Sequence, residues 1–160
     1  MAPKILIAED HEAARELIRH ALDGLGFELE FADTGPAAWT ALERHPFDTV
    51  LLDLALPGLS GSEICRRIKS DPHRTELPVV LMSGALAARE LADESRAAGA
   101  DAYLAKPFSL GELRTVAQAF TKIHRQGTEI ARLRRELEGL KVSKDESVQL
   151  DWGLPYHEFM

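Results

Sequence analysis

Three carboxylates, a hydroxyl and an amine stand out because each closes a short apolar run: Glu9 and Asp10, Asp53, Ser83, and Lys106 just past the last run. Carboxylates brought close together repel one another unless a cation shares them. Magnesium (Mg2+) is the expected occupant, because it takes oxygen ligands and is commonly held by one or two carboxylates plus a phosphate oxygen. The chemistry such a pocket supports is phosphoryl transfer, with the ion lowering the charge barrier to in-line attack by a carboxylate. Lys106 would then meet a phosphate oxygen as a point charge, and the Ser83 hydroxyl would donate to another.

For these residues to meet, the elements carrying them must lie side by side. The period of apolar residues predicts five β-like runs, Lys4 to Ala8, Glu28 to Ala32, Thr49 to Leu54, Val79 to Ser83 and Ala102 to Ala105, each followed by a helical segment. That alternation predicts an α/β domain with a parallel sheet. Val50-Leu51-Leu52 and Val79-Val80-Leu81-Met82 are continuously apolar, as central strands covered on both faces must be. In an open parallel sheet the ligand sits beyond the carboxyl ends of the strands, and four of the five ends carry reactive groups. With the first and third strands as neighbours, as in the flavodoxin-like order 2-1-3-4-5, the three carboxylates converge.

The helices have readable faces and ends. Ala14, Leu17, Ile18, Ala21, Leu22 and Leu25 repeat at helical spacing, with Gly24 and Gly26 where a cap would end that helix. Thr34 before Gly35-Pro36 predicts an N-cap with proline in the first turn. Ser62 is expected to cap a third helix that buries Ile64, Cys65 and Ile68, and a fourth runs from about Ala87 to Ala98. The fifth starts near Ser109, buries Leu113, Val116 and Phe120, and continues its stripe through Ile123, Ile130, Leu133, Leu137 and Leu140.

Covering a five-stranded sheet takes only about four helical turns, so residues beyond Lys122 are expected to extend past the domain. The chain therefore reads as a domain over 1–122, a helical extension over 123–142, and a polar tail or the start of a missing output domain over 143–160. The extension has a seam fit for a dimeric coiled coil, although Gly127 interrupts it. An amphipathic helix folded back on its own domain and a linker to an absent output domain are the alternatives.

At the residues named first, the chain resembles the response-regulator receiver family of two-component signalling. The likeness rests on Glu9-Asp10, on Asp53 in Asp-Leu-Ala-Leu-Pro-Gly-Leu-Ser-Gly, on Ser83 in Met-Ser-Gly-Ala, and on Lys106-Pro107-Phe108 preceded by Tyr103. It covers residues 4 to about 120. The resemblance implies that Asp53 is the phosphoacceptor and that Glu9, Asp10, Asp53 and the backbone carbonyl of Ala55 hold the ion. It implies that Ser83 and Tyr103 form a switch pair, and that Lys106-Pro107 is a cis peptide aiming the lysine inward. Phosphorylation would then repack the face made by the fourth helix, fifth strand and fifth helix. The expected partners are a histidine kinase or phosphotransfer protein and a downstream protein or output domain. Ala55 has no polar side chain to position a water, so a long-lived phosphoryl state is expected, and the small Gly84 is expected to leave the phosphate site open.

Bulk properties narrow the other classes. The net charge of −7 argues against a broad nucleic-acid surface. Residues 1–120 hold all of the acidic excess, because residues 121–160 carry seven basic and seven acidic side chains. With Cys65 alone no intrachain disulfide forms, and Glu9-Asp10 follow the first apolar run too soon for a leader, so a cytoplasmic protein without a membrane span is expected. The six histidines, His11, His20, His45, His73, His124 and His157, show no metal-ligand spacing and read as surface or structural. A phosphatase of the haloacid dehalogenase type would need an aspartate where Ala55 stands, and no glycine-rich or hydroxyl-rich phosphate loop for a nucleotide or flavin follows the first run. The expectation is thus a switch that is not an enzyme on external substrate, or the receiver part of a transcriptional regulator whose DNA-binding output is absent.

Overall fold

In the computed structural model residues 1–145 are described, with side chains through Leu140. Five strands, β1 (Lys4–Ala8), β2 (Glu28–Ala32), β3 (Thr49–Asp53), β4 (Val79–Ser83) and β5 (Ala102–Ala105), alternate with five helices. The helices are α1 (Glu12–Leu22), α2 (Gly35–Arg44), α3 (Gly61–Ser70), α4 (Ala88–Ala98) and α5 (Leu110–Asp145). All strand pairs are parallel and the order is β2-β1-β3-β4-β5, the flavodoxin-like arrangement.

The pleat divides each central strand between two cores, since alternate residues face opposite sides of a sheet. Leu6, Val50, Leu52, Val79 and Leu81 pack on one face against Ala38 and Leu42 of α2 and Ile64, Cys65 and Ile68 of α3. Ile5, Ile7, Leu51, Val80 and Met82 pack on the other against Ile18, Ala21 and Leu22 of α1 and Leu113 and Ala117 of α5. Two-sided burial is why β3 and β4 read as unbroken apolar runs. A buried polar contact also ties β3 to α5, where the Thr49 and Thr121 hydroxyls lie 2.8 Å apart.

Most helix ends form as their residues dictate. Thr34 Oγ1 accepts the N–H of Ala37 at 3.1 Å, with proline in the first turn of α2. Ser62, however, does not cap α3. Ser60 does, its Oγ accepting the Glu63 N–H at 3.2 Å, while Ser62 is buried inside the helix. The spacing explains the difference, because Ser60 and Glu63 stand three apart as a capping box requires and Ser62 has Cys65 at that position.

The chain divides into two compact units after His124. The first holds the sheet and its covering helices, with α5 contributing through His124; in the second, the described residues continue α5. The expected polar tail or output segment falls largely on residues 146–160, outside the described residues. No helix among the described residues is long and apolar enough to cross a membrane.

Candidate functional site

Strand register builds the site. Ala8 of β1 pairs with Leu52 of β3, so the next residues, Glu9 just past β1 and Asp53 at the end of β3, stand side by side at the carboxyl edge of the sheet. Ser83 of β4 pairs with Ala105 of β5, and the Lys106 N–H donates to the Ser83 carbonyl at 2.9 Å, which carries the lysine to the same edge. The Lys106-Pro107 peptide is cis.

Lys106 Nζ donates to Glu9 Oε2 at 2.6 Å and to Asp53 Oδ2 at 2.8 Å. The other Asp53 oxygen accepts the Ala55 N–H at 3.0 Å. Glu9 is fully buried and Asp53 nearly so, which makes their charge states interdependent. Burial pushes the Glu9 carboxyl up, and the neighbouring Asp53 carboxylate adds to this against the pull of Lys106. Burial also opposes the Asp53 charge, but hydrogen bonds from Glu9, Lys106 and the Ala55 N–H outweigh it and hold Asp53 below its ordinary value. Lys106 is held charged by the same two carboxylates despite its own burial. Of the two carboxyls, then, Asp53 is the more readily ionised and Glu9 the less.

The Asp10 side chain supplies the observation that bears on a cation. Its Oδ1 is buried without a hydrogen-bond partner, and His11 Nδ1 at 3.1 Å pairs with it only when the imidazole is protonated. Nor does Asp10 cap α1, whose N-cap position is His11 with no side-chain cap. A buried oxygen left unpaired is costly. Ligand atoms of Glu9, Asp10, His11 and Asp53 all lie within 4.8 Å of one another, so one small ion could satisfy the orphan and relieve the repulsion. Oxygen donors of this kind fit Mg2+.

The structure brings together Glu9, Asp10, Asp53 and Lys106. Ser83 is buried beside them, and its Oγ accepts the N–H groups of Ala85 at 3.2 Å and Leu86 at 3.4 Å, which leaves its proton free to donate. Ala55 is exposed next to Asp53. Tyr103 lies two positions before Ala105 on β5 with its side chain 44% exposed, on the surface rather than in the pocket. At Gly84 a Cβ would lie 3.3 Å from Lys106 Cβ, so the small residue helps seat the lysine.

Three residues were not foreseen in these roles. His11, read as surface or structural, joins the cluster, with Nδ1 3.2 Å from Glu9 Oε1. Its position directly after two acids was the available signal. Arg15 Nη1 donates to the Glu9 carbonyl at 2.9 Å and so fixes the backbone of that acid. Gly61 is required by close approach, since a Cβ there would lie 2.3 Å from the Asp53 carbonyl oxygen. A separate concavity lined by Leu42, His45, Phe47, Arg74 and His124 contains none of the clustered acids.

Comparison with known proteins agrees with this geometry. Residues 5–118 match the family model described as the response regulator receiver domain. The chain is 38% identical over 124 residues to the phosphate regulon transcriptional regulatory protein PhoB of Rhizobium meliloti, covering 76% of this chain and 53% of that protein. It is 37% identical to the sensor histidine kinase GacS of Pseudomonas protegens, covering 95% of this chain but 17% of that protein. The chain thus spans about half or less of the length of these relatives. Among solved structures, the receiver domain of sensor histidine kinase PA1611 from Pseudomonas aeruginosa, with a magnesium ion coordinated in its active-site cleft, superimposes with a TM-score of 0.69 at 28% identity. That match covers 76% of this chain and 99% of that domain. With the sheet order, the acid cluster and the match over residues 5–118 in agreement, the chain belongs to the response regulator receiver family of two-component signalling.

Proposed function

We propose that Asp53 accepts a phosphoryl group from a phosphohistidine of a histidine kinase or phosphotransfer protein, with Mg2+ held by Glu9, Asp10, Asp53 and the Ala55 carbonyl. The observation that carries this reading is the buried arrangement in which Lys106, 2.8 Å away, favours the ionised form of Asp53 while Asp10 Oδ1 lies buried without a hydrogen bond. An Asp53 oxygen attacks phosphorus, the P–N bond breaks, and its electron pair leaves on the donor imidazole. The ion supplies charge neutralisation for the transferring group. Lys106 then exchanges a carboxylate oxygen for a phosphoryl oxygen, and the free Ser83 proton donates to another.

The output follows from what Ser83 and Tyr103 do. As the Ser83 hydroxyl moves toward the phosphoryl group, the exposed Tyr103 ring turns into the space released, and the α4–β5–α5 face changes its contacts. In this reading the protein is a cytoplasmic switch rather than an enzyme on external substrate. The helix after His124 pairs with a second copy, and a downstream protein or an output domain reads the change. A regulator with a DNA-binding output is the second reading, favoured by the likeness to PhoB over only half of that protein's length.

The test is incubation with a small phosphodonor, with and without Mg2+, followed by intact mass. A gain of one phosphoryl group that is acid-stable, base-labile, dependent on Mg2+ and absent in Asp53→Asn is expected. No gain in wild type, or an equal gain in Asp53→Asn, overturns the assignment.

A further inference from the structure

Ile130, Leu133, Leu137 and Leu140 of α5 are 50%, 44%, 57% and 57% exposed, an apolar seam with steps of three and four residues. In heptad terms Ile130 and Leu137 fall at a and Leu133 and Leu140 at d, and the same spacing carried backward in sequence reaches Ile123 at a and Gln126 at d. Isoleucine at a with leucine at d favours a two-stranded coil.

The flanking charges decide its direction. Glu129 and Glu136 fall at g and Arg134 at e, and the next e position in sequence is Lys141. In parallel strands a g residue meets the e residue five positions further along the other chain, so Glu129 faces Arg134 and Glu136 faces residue 141, each an opposite-charge pair made twice by symmetry. In antiparallel strands g meets g and e meets e; centred on the same seam, this sets Glu129 against Glu136 and leaves Arg134 opposite Gly127 without an acidic partner. Arg132 already joins Glu129 at 2.6 Å and Glu136 at 2.5 Å along its own helix, while Arg134 has no ion pair among the described residues. We infer that this helix pairs with a second copy of the chain in parallel and in register, with Glu129 of each copy against Arg134 of the other. The inference rests on the reading that the helix after His124 is a dimer contact, and adds its orientation and pairing.

Full-length Gln126→Cys tests it, because two parallel d positions are close enough for a disulfide, whereas in an antiparallel pair centred on the same seam residue 126 faces the region of Leu137. The native Cys65 is buried and stays out of the reaction. Under mild oxidation without phosphodonor, Gln126→Cys is expected to form a covalent dimer through residue 126. Arg134→Glu is expected to weaken the dimer roughly tenfold, and Glu129→Arg with Arg134→Glu to restore it. A dimeric mass by light scattering without self-linking at 126 overturns the parallel register and leaves the dimer reading standing. A monomeric mass at all concentrations up to 100-fold above those of the assay overturns both.

Discussion

Lys106 Nζ stands 2.8 Å from Asp53 Oδ2 and spends its remaining reach on Glu9, 2.6 Å away. One ammonium therefore balances two buried carboxylates, and its removal leaves them facing each other. Lys106→Ala is expected to cut phosphoryl uptake at least tenfold, because the transferring group would lose the proposed lysine contact. Stability without divalent ions should fall by about 1–2 kcal/mol, less than for a fully buried pair because Glu9 can take up a proton. Urea denaturation in chelator and intact mass after phosphodonor treatment read the two effects separately; unchanged values in both would remove the lysine from the site.

Asp10 Oδ1, buried without a hydrogen bond, makes a stability prediction for metal. An ion bound only by the folded state stabilises it by about 2.7 kcal/mol at a concentration 100 times its dissociation constant. Mg2+ should raise the denaturation midpoint of wild type accordingly, and Asp10→Asn should shift the concentration needed upward at least tenfold. Titration calorimetry gives the affinities directly. Equal Mg2+ affinity in Asp10→Asn would show that the orphan oxygen is not a ligand.

Glu9 and Asp53 carry opposite pH signatures. Burial and the Asp53 carboxylate raise Glu9 above its unfolded value, so its contribution to stability is full below that value and is lost as pH rises through the raised one. Asp53 is lowered, so its contribution is present above the unfolded value and is lost as pH falls through the lowered one. Glu9→Gln keeps a donor beside Asp53 without a charge. In chelator it should match wild type near the ordinary carboxylate range and become progressively more stable than wild type as pH rises above it. Thermal melts from acid to neutral pH measure the gap, and a gap constant with pH would mean that Glu9 does not titrate against Asp53.

Much of this site was legible because it sits where the sheet pattern ends. The unbroken runs around Leu51 and Val80 announced buried central strands, and acids and a lysine directly after such runs had one common destination. What the pattern could not show was contact across loops. Arg15 reaches a backbone carbonyl, which leaves no trace in residue type, and Gly61 is dictated by the passage of the Asp53 backbone rather than by a turn signal. Ser60 rather than the expected Ser62 caps α3, and the available signal was Glu63, which stands three residues after Ser60.

The same substitution should act in opposite directions at two glycines. Gly61→Ala places a Cβ 2.3 Å from the Asp53 carbonyl oxygen, backbone that cannot yield without moving the acceptor itself. A loss of about 2–3 kcal/mol is expected, together with impaired phosphoryl uptake. Gly127→Ala meets nothing within 4 Å inside a helix, and a gain of about 0.5–1 kcal/mol is expected from the reduced freedom of the unfolded chain. Urea denaturation of both variants tests the contrast, and destabilisation by Gly127→Ala would place an undescribed neighbour there.

Ala55 is expected to set the lifetime of the proposed phosphoryl state. Its N–H holds Asp53 Oδ1 at 3.0 Å, and its side chain is exposed beside the carboxylate, so a longer polar group at this position could orient water toward phosphorus without displacing packed atoms. Positioning a nucleophile lowers a hydrolytic barrier even without proton transfer. Ala55→Asn is therefore expected to hasten loss of the phosphoryl group roughly tenfold. Ala55→Leu, similar in bulk but without a donor or acceptor, should not hasten it. Because the residue is exposed, both variants should stay within about 0.5 kcal/mol of wild-type stability. Mass measured over time after removal of the phosphodonor gives the rates. Equal rates for wild type and Ala55→Asn would mean that water reaches the acyl phosphate unaided, and acceleration by Ala55→Leu would assign the effect to distortion of the Asp53 hydrogen bond instead.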